Sequence, residues 1–182
     1  FLKGNKIGLV SSIQHIHQLN KIKEFIEKNS KEVFIPKKKG FAREDGHVLG
    51  CEYFSLKQLN VDNILVIGNR FHALGAALAT KKDVILINPA TDEVENMNGI
   101  RDKVIRQRLI AIERVKDARK IGVIVCVKPG QKFGSAELIK KKLEKIDKEV
   151  VLVSMNEVSD DKLVNLYDIE TFVETACPRI AI

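Results

Sequence analysis

Three cysteines carry the most distinctive chemistry of this 182-residue chain. Cys51 follows a polar loop in GHVLGCEYF, and Cys177 follows a strand-like run in VETACPRI, directly before a proline. Thiolates bind soft metals and iron–sulfur clusters, although either cysteine could equally be structural. Because the sequence contains no C-x-x-C motif, only a site assembled from several domains could use both thiols. Cys126 lies within IGVIVCV, and we predict that it packs in the core as a small hydrophobic residue.

Polar residues follow several apolar runs, in SSIQHIH, IGNRFH and KPGQ. Ligands of open α/β sheets bind beyond the carboxyl ends of the strands, so these segments are candidate binding positions. His15 and His17 lie near a predicted helix start and cannot share one helical face. His72 is either a ligand contact or a plain helix-start histidine, and His47 is predicted to lie on the surface. KPGQ is either an anion site at a helix N-terminus or an ordinary turn.

The elements that must position these residues alternate between strands and helices. Predicted strands cover residues 6–12, 32–36, 63–69, 83–89, 121–127, 149–155 and 170–176, and predicted helices cover 13–29, 70–82, 100–119, 135–148 and 160–166. Ser12 is the predicted N-cap of the first helix. The polar segment KKKGFAREDGHVLG is predicted to be a long loop, and such loops within compact domains commonly have a function.

This alternation predicts parallel sheets joined by right-handed crossovers. We therefore expect an α/β fold with two similar, Rossmann-like domains, each a parallel sheet flanked by helices. The first domain covers 1–98, and the second covers 99–182, including a connecting helix at 100–119. The similarity of the two domains is one of architecture, without visible sequence identity.

The bulk composition, with 45% hydrophobic and 30% charged residues, is that of a globular protein. No apolar run approaches the roughly 20 residues that cross a bilayer, and no signal peptide is recognisable, so we expect no membrane association. The net charge of +7 is spread over lysine-rich segments that are typical of solvated surfaces. Tryptophan is absent, so direct nucleic-acid binding is not expected. The low cysteine content is typical of a reducing cytoplasm.

Six segments, in this order, resemble one protein family: SSIQHIHQL, GHVLGCEYF, IGNRFHALGAALATKK, DVILINP, RKIGVIVCVKPGQ and TACPRIAI. The family is that of the archaeal 2-(3-amino-3-carboxypropyl)histidine synthases, which catalyse the first step of diphthamide biosynthesis. The resemblance covers essentially the whole chain, and its most specific motifs are VLGC, G-x-x-F-H-x-L-G and ACPR.

The resemblance implies three similar α/β domains around a pseudo-threefold centre, each giving one cysteine to a 4Fe–4S cluster. Cys51 and Cys177 match two of the ligand positions, whereas Cys126 matches none. The chain, which does not begin with Met, would then hold the second and third domains. The third ligand would belong to an N-terminal domain that the chain does not contain.

The implied reaction uses the reduced cluster to cleave S-adenosylmethionine, and a 3-amino-3-carboxypropyl radical species then adds to a histidine of translation elongation factor 2. The substrate carries a carboxylate and an ammonium group that loop amides and polar side chains must hold. Our candidates for these contacts lie at predicted strand ends, and they are Ser11, Gln14, His15, Gly130 and Gln131, with Arg70 and His72 as further candidates.

Two alternatives stay open at this point. The first is another three-domain 4Fe–4S enzyme, such as quinolinate synthase, and the second is a non-catalytic α/β binding module. The resemblance also implies a homodimer. Its interface would involve either the amphipathic helix 100–119 or the small-residue helix 73–80.

Overall fold

A computed structural model of the protein describes residues 2–131, 134–177 and 180. The chain forms two compact units, Phe1–Ile105 and Arg106–Ile182, and the division falls within one long helix. Both units are parallel or largely parallel sheets with helices between the strands, so the predicted α/β class is confirmed. The arrangement of three domains stays a prediction.

The sheet of the first unit has five strands, β1 (Lys6–Ser11), β2 (Glu32–Phe34), β3 (Asn63–Ile67), β4 (Asp83–Asn88) and β5 (Glu93–Asn96). Their order across the sheet is β2-β1-β3-β4-β5, and the first four strands are parallel. A 3₁₀ helix at Ile13–Gln18 leads into α1 (Leu19–Glu27), and the other helices are α2 (Phe54–Lys57), α3 (Arg70–Ala79) and α4 (Asn98–Asp117).

Alternate residues of these strands fill two hydrophobic clusters, one on each face of the sheet. Ile7 and Leu9 of β1 pack with Leu19 of α1. Val10 and Val66 pack on the other face, in the cluster that includes the alanines of α3. Each fully buried aliphatic side chain contributes about 1.5–3 kcal/mol to folding. The sheet of the first unit is therefore held from both sides, which fixes the positions of its strand ends.

The second unit contains a three-stranded parallel sheet, formed by β6 (Lys120–Cys126), β7 (Glu149–Met155) and β8 (Thr171–Glu174) in the order β7-β6-β8. Between these strands lie α5 (Ala136–Glu144) and α6 (Asp160–Val164). The hydroxyl of Ser135 accepts a hydrogen bond from the Leu138 N–H (3.3 Å), so a side chain caps the start of α5.

The two units repeat one scheme, and short identical segments mark the repeat. KIG opens both β1 and β6, and KEV lies at the start of both β2 and β7. The strand registers agree as well, because Lys6 pairs with Glu32 and Lys120 pairs with Glu149. The expectation that the two units share no visible sequence identity was therefore wrong at these strand starts.

Equivalent carboxylates hold the start of the first strand in each unit. In the first unit, Asp62 Oδ2 accepts hydrogen bonds from the backbone N–H groups of Asn5 (2.8 Å) and Lys6 (2.9 Å). In the second, Glu170 Oε1 accepts a hydrogen bond from the Lys120 N–H (3.0 Å). The two backbone N–H donors lower the pKa of Asp62, since they stabilise its ionised form. The repeat thus extends from the backbone register to specific side-chain contacts.

Two details of the first unit differ from the sequence prediction. Residues 90–99, for which no helix or strand was predicted, contain β5, which pairs antiparallel with β4. The connection at 89–92 is short, and a short connection can join only antiparallel strands. The predicted first helix begins as a 3₁₀ helix, and the side chain of Ser12 forms no capping hydrogen bond.

The helix α4 is exposed along most of its length. Val104 is buried, whereas four of its apolar side chains are 42–58% exposed: Ile105, Leu109, Ile110 and Ile112. In contrast, the small residues of α3 are buried within the first unit: Ala73, Ala76 and Ala77. Of the two helices considered for a dimer interface, α4 is the one with apolar side chains exposed. Within the described residues, no helix is long and apolar enough to cross a bilayer.

Close packing between β6 and β8 gives a testable prediction. A Cβ atom on Gly122 would lie 2.6 Å from Phe172 Cδ1, which is closer than two carbon atoms can approach. We expect Gly122→Ala to destabilise the protein by about 1–3 kcal/mol, because the ring must leave its packed position. Calorimetric thermal unfolding measures this change.

Gly99→Ala is the matched control for this substitution. Gly99 lies in α4, and a Cβ atom there would meet nothing within 4 Å. Because alanine is the better helix former, this variant should melt at the same or a higher temperature than the wild type. An unchanged melting temperature in Gly122→Ala would contradict the described packing of Phe172.

Candidate functional site

The carboxyl end of β1 is flanked by β3 on one side and by the long loop on the other. The Ser11 N–H donates to the Gly46 carbonyl oxygen (2.9 Å), and the Val48 N–H donates to the Ser11 carbonyl oxygen (2.9 Å). His47, between the two loop residues, forms a parallel bridge with Ser11. The loop that follows β2 therefore returns to the sheet and pairs with the end of β1.

Cys51 is exposed on a turn that an antiparallel bridge between Leu49 and Glu52 closes. Gly50 lies against the ring of Phe71 in the first turn of α3, because a Cβ atom on Gly50 would lie 1.9 Å from Phe71 Cε1. This close approach requires glycine. It places Cys51 beside the start of α3, near the carboxyl end of β3.

Tyr53 fixes the other side of the same turn. Its hydroxyl donates to the His72 carbonyl oxygen (3.2 Å), and its side chain lies where a Cβ atom on Gly75 would be. Burial, and to a lesser extent the nearby negative charge of Cys51, raises the pKa of Tyr53. The phenol therefore stays protonated and keeps its role as a donor. Residues on both sides of Cys51 are thus anchored to α3.

Glu52 ties the turn to the preceding loop. Its Oε2 atom accepts a hydrogen bond from the Phe41 N–H (2.8 Å). Its Oε1 atom is buried, accepts no hydrogen bond from the described residues, and fills the space that a side chain at Gly40 would need. Gly40 also has a positive φ of 63°, so glycine suits this position for two reasons.

The prediction that His47 lies on the surface was wrong, because its side chain is only 5% exposed. Its Nδ1 atom accepts a hydrogen bond from the Arg43 N–H (3.1 Å), which requires the neutral imidazole. Burial and the positive charge of Arg43 lower the pKa of His47, and Glu44 opposes this shift. A polar loop sequence gave no sign that this segment pairs with β1, which is what buries the imidazole.

The first unit brings five of the candidate residues to one edge of its sheet. Ser11 ends β1, and Gln14 and His15 lie in the 3₁₀ helix that follows. Arg70 and His72 lie in the first turn of α3, after β3. Because β1 and β3 are adjacent and parallel, these two groups lie at the same end of the sheet. Their roles as ligand contacts stay predictions.

These side chains differ in how far they are already engaged. The Ser11 hydroxyl is fully buried and has no hydrogen-bond partner among the described residues. Arg70 Nε donates to Glu95 Oε2 (2.9 Å) in an exposed ion pair of the kind that adds little stability. Asn69 Oδ1 caps α3 by accepting from the His72 N–H (3.2 Å), and it also lies 2.9 Å from His72 Nδ1. Among these residues, Ser11 has the clearest unused hydrogen-bonding capacity.

In the second unit, Cys177 and the KPGQ segment follow parallel strands at the same edge of the sheet. Cys177 is half-buried. Gly130 is exposed, has a φ of 74°, and lies in a turn that the Gln131 N–H closes by donating to the Lys128 carbonyl oxygen (3.1 Å). Since α5 begins later and Ser135 caps it, KPGQ is a turn and not an anion site at a helix start.

The prediction that Cys126 packs in the core is confirmed, because it is 1% exposed. Its Sγ atom lies 3.5 Å from Gln131 Oε1 and 3.7 Å from the Asn156 carbonyl oxygen, and the single S–H group can donate to either acceptor. Cys126 therefore contacts the side chain of Gln131 in the turn that follows β6.

Each unit thus places one cysteine that is not buried near the carboxyl end of its sheet, the exposed Cys51 in the first and the half-buried Cys177 in the second. Thiolate ligation by such residues fits an iron–sulfur cluster, whereas the buried Cys126 is unsuited to it. Within the ranges that the structure describes, no three histidine, cysteine or acidic side chains converge as a metal site. Metal ligation by Cys51 and by Cys177 therefore stays a prediction.

Comparison with known proteins identifies relatives over nearly the whole chain. The model of the family described as "Putative diphthamide synthesis protein" matches residues 1–182. The 2-(3-amino-3-carboxypropyl)histidine synthase of Pyrococcus horikoshii is 40% identical over 97% of this chain and 51% of that protein. The Methanocaldococcus jannaschii protein of the same name is 32% identical over 90% of this chain and 51% of its own.

The crystal structure of Dph2 from Pyrococcus horikoshii with a 4Fe-4S cluster superposes with a TM-score of 0.86 and 39% sequence identity. The match covers 97% of this chain and 52% of that one. The chain therefore spans about half the length of the curated archaeal relatives it matches.

The burial of His47 predicts a pH-dependent stability. Its folded-state pKa lies below the unfolded value of about 6.5, so its contribution is fully present above that pH. The contribution is lost as the pH falls through the folded-state pKa, because the unfolded chain takes up the proton first. We expect His47→Gln to flatten this part of the profile of unfolding free energy against pH.

His17→Gln is the control, since His17 is exposed. Denaturant titrations between about pH 5 and 8 should show the same profile for this variant and the wild type. Parallel profiles for His47→Gln and the wild type would show that His47 does not couple protonation to folding.

Proposed function

This chain belongs to the diphthamide synthesis protein family, and we propose that the protein is a 2-(3-amino-3-carboxypropyl)histidine synthase. The reaction transfers the 3-amino-3-carboxypropyl group of S-adenosylmethionine to a histidine of translation elongation factor 2, the first step of diphthamide biosynthesis. The archaeal relatives that are named for this activity support the proposal. Because the chain spans about half of their length, the activity is that of a longer protein.

The accessibility of the two motif cysteines is the observation that carries the proposal. Cys51 in VLGC and Cys177 in ACPR are exposed and half-buried, respectively, while Cys126, outside these motifs, is buried. A cysteine that serves only in packing is typically buried, as Cys126 is, so the exposure of Cys51 and the partial exposure of Cys177 support a role in ligation.

Cys51 and Cys177 would each bind one iron of a 4Fe–4S cluster, and a third cysteine would come from a domain outside these 182 residues. When bound, the reduced cluster would supply the electron that cleaves the bond between the sulfonium sulfur and the γ-carbon of the methionine moiety of S-adenosylmethionine. The contribution of the first unit is to hold Cys51 rigidly, through the contacts of Gly50 and Tyr53 with α3. A rigid ligand loop fixes the direction from which the thiolate approaches the iron.

The residues at the strand ends would orient S-adenosylmethionine. In the first unit the binding group comprises Ser11, Gln14 and His15, with Arg70 and His72 beside them. In the second unit Gly130 and Gln131 contribute, and a Cβ atom on Gly130 would meet nothing within 4 Å, so the space around this residue is open to an incoming group. The Ser11 hydroxyl, which is buried without a partner among the described residues, would donate to a carboxylate of the substrate.

The partners follow from the same proposal. Translation elongation factor 2 is the protein substrate, the protein acts as a homodimer, and the reaction takes place in the cytoplasm. The apolar side chains exposed on α4, among them Leu109 and Ile112, would be covered in the dimer.

Cysteine substitutions in the full-length protein test the cluster ligands. We expect Cys51→Ala and Cys177→Ala to lose most of the bound iron after anaerobic purification, because each removes a thiolate ligand. Cys126→Ala is the control and should retain the iron, and it should melt at a slightly lower temperature because removing a buried sulfur atom leaves a small cavity. Iron analysis and the visible absorbance of the cluster measure the outcome. Full iron content in both Cys51→Ala and Cys177→Ala would overturn the assignment.

Product analysis tests the reaction itself. The reduced full-length protein, incubated with S-adenosylmethionine and elongation factor 2, should add one 3-amino-3-carboxypropyl group to one histidine. Peptide mass spectrometry identifies the group and its position. Formation of quinolinate from its precursors, or the absence of any turnover in a cluster-loaded sample, would count against the proposal.

A further inference from the structure

The repeat between the two units reveals one residue that breaks the pattern in β8. In the first unit Val10 of β1 pairs with Val66 of β3, and in the second Ile124 of β6 pairs with Glu174 of β8. Both pairs lie two residues beyond the glycine of the shared KIG segment. Glu174 therefore occupies the position that a fully buried valine fills in the first unit.

The carboxylate of Glu174 is poorly satisfied where it lies. The residue is half-buried, and its Oε2 atom is buried without a hydrogen-bond partner among the described residues. Burial alone raises the pKa of Glu174. A carboxylate oxygen withdrawn from water without a donor is destabilising, and valine at the equivalent position shows that the fold accepts an apolar side chain there. Packing therefore does not explain why this residue is acidic.

The same comparison picks out a residue of the first unit. Ser11, which also has a buried oxygen without a described partner, corresponds to Val125 of β6 through the KIG alignment. In both units, a polar side chain with unused hydrogen-bonding capacity thus replaces valine near the carboxyl end of a strand. Such unpaired groups are rare in folded proteins and call for a specific explanation.

The location of Glu174 matches that of a ligand contact. Successive strand residues point to opposite faces, so Ile124, Cys126 and the Glu174 paired with Ile124 share one face of the sheet. Cys126 contacts Gln131 at that end of the sheet. The strand that carries Glu174 leads directly to Cys177. The carboxylate therefore lies on the sheet face that Cys126 shares, three residues before the candidate cluster ligand Cys177.

We propose that Glu174 is a further substrate-binding residue, whose carboxylate accepts a hydrogen bond from the α-ammonium group of S-adenosylmethionine. This assignment rests on the proposed function. Oε2 needs a hydrogen-bond donor, and the ammonium carries three N–H donors whereas the sulfonium carries none. A charge-assisted hydrogen bond of this kind is about twice as strong as a neutral one, so it would offset the unfavourable burial when the substrate is bound.

Calorimetric binding of S-adenosylmethionine to the full-length, cluster-loaded protein tests the assignment. We expect Glu174→Gln and Glu174→Val to weaken binding about tenfold or more, which is the loss expected for a hydrogen bond to a charged group. Glu144→Gln, which alters an exposed carboxylate on α5, is the matched control and should bind like the wild type. A deamino analogue of S-adenosylmethionine should bind all four proteins with similar affinity, because it lacks the ammonium group.

Thermal unfolding supplies a second readout that does not depend on the substrate. Glu174→Val introduces the residue found at the equivalent position, so the variant should melt at the same or a higher temperature and retain its iron. A lower melting temperature together with lost iron in both Glu174 variants would assign the carboxylate a structural role and overturn the proposal.

The possible failures are distinguishable. If the wild-type protein binds S-adenosylmethionine and both Glu174 variants bind it equally well, the ammonium site is wrong while the proposed function stands. If the Glu174 variants lose as much affinity for the deamino analogue as for S-adenosylmethionine, the carboxylate does not contact the ammonium group. If the cluster-loaded wild type binds no S-adenosylmethionine, the proposed function and this inference both fail.

Discussion

Parallel pairing of the first and third strands of each unit is the constraint on which the candidate site depends. β1 pairs with β3 in parallel, and β6 pairs with β8 in the same way. The residues that follow the carboxyl ends of the two paired strands therefore lie at one edge of each sheet. In the first unit this edge gathers Ser11 and the start of α3, and in the second it gathers the KPGQ turn and Cys177. Buried side chains on both faces of the first sheet keep that edge in place, so polar groups there can be positioned without contributing to the core themselves.

The two units reuse one framework but present their thiols differently. Asp62 and Glu170 hold the start of the first strand in the same way, and the strand registers agree. Cys51, however, lies in the connection between the second and third strands, whereas Cys177 follows the third strand. In the first unit the third strand is followed instead by Asn69, whose side chain caps α3. A repeated scaffold therefore supplies the strand ends, and the connections decide where each reactive side chain lies.

Polar groups with incomplete hydrogen bonding concentrate near these strand ends. Ser11, Glu52 and Glu174 each have a buried oxygen without a partner among the described residues. Glu52 lies next to Cys51, and Glu174 lies on the strand that leads to Cys177. Each such group lowers the stability of the folded chain unless a ligand supplies the missing donor or acceptor. This distribution is typical of a binding surface, where stability is lower before the ligand is present.

The fold class, the burial of Cys126 and the family could be predicted from the sequence alone. Apolar runs of strand length alternating with helical periodicity predicted the α/β class, and IGVIVCV predicted a buried Cys126, because these features depend on local pattern and hydrophobicity. The motifs around Cys51 and Cys177 predicted the family. Other features required the tertiary structure, since they arise from contacts between distant segments. The burial of His47 depends on the loop pairing with β1, the antiparallel β5 depends on a short turn, and the unusual position of Glu174 appears only when the strand registers of the two units are compared.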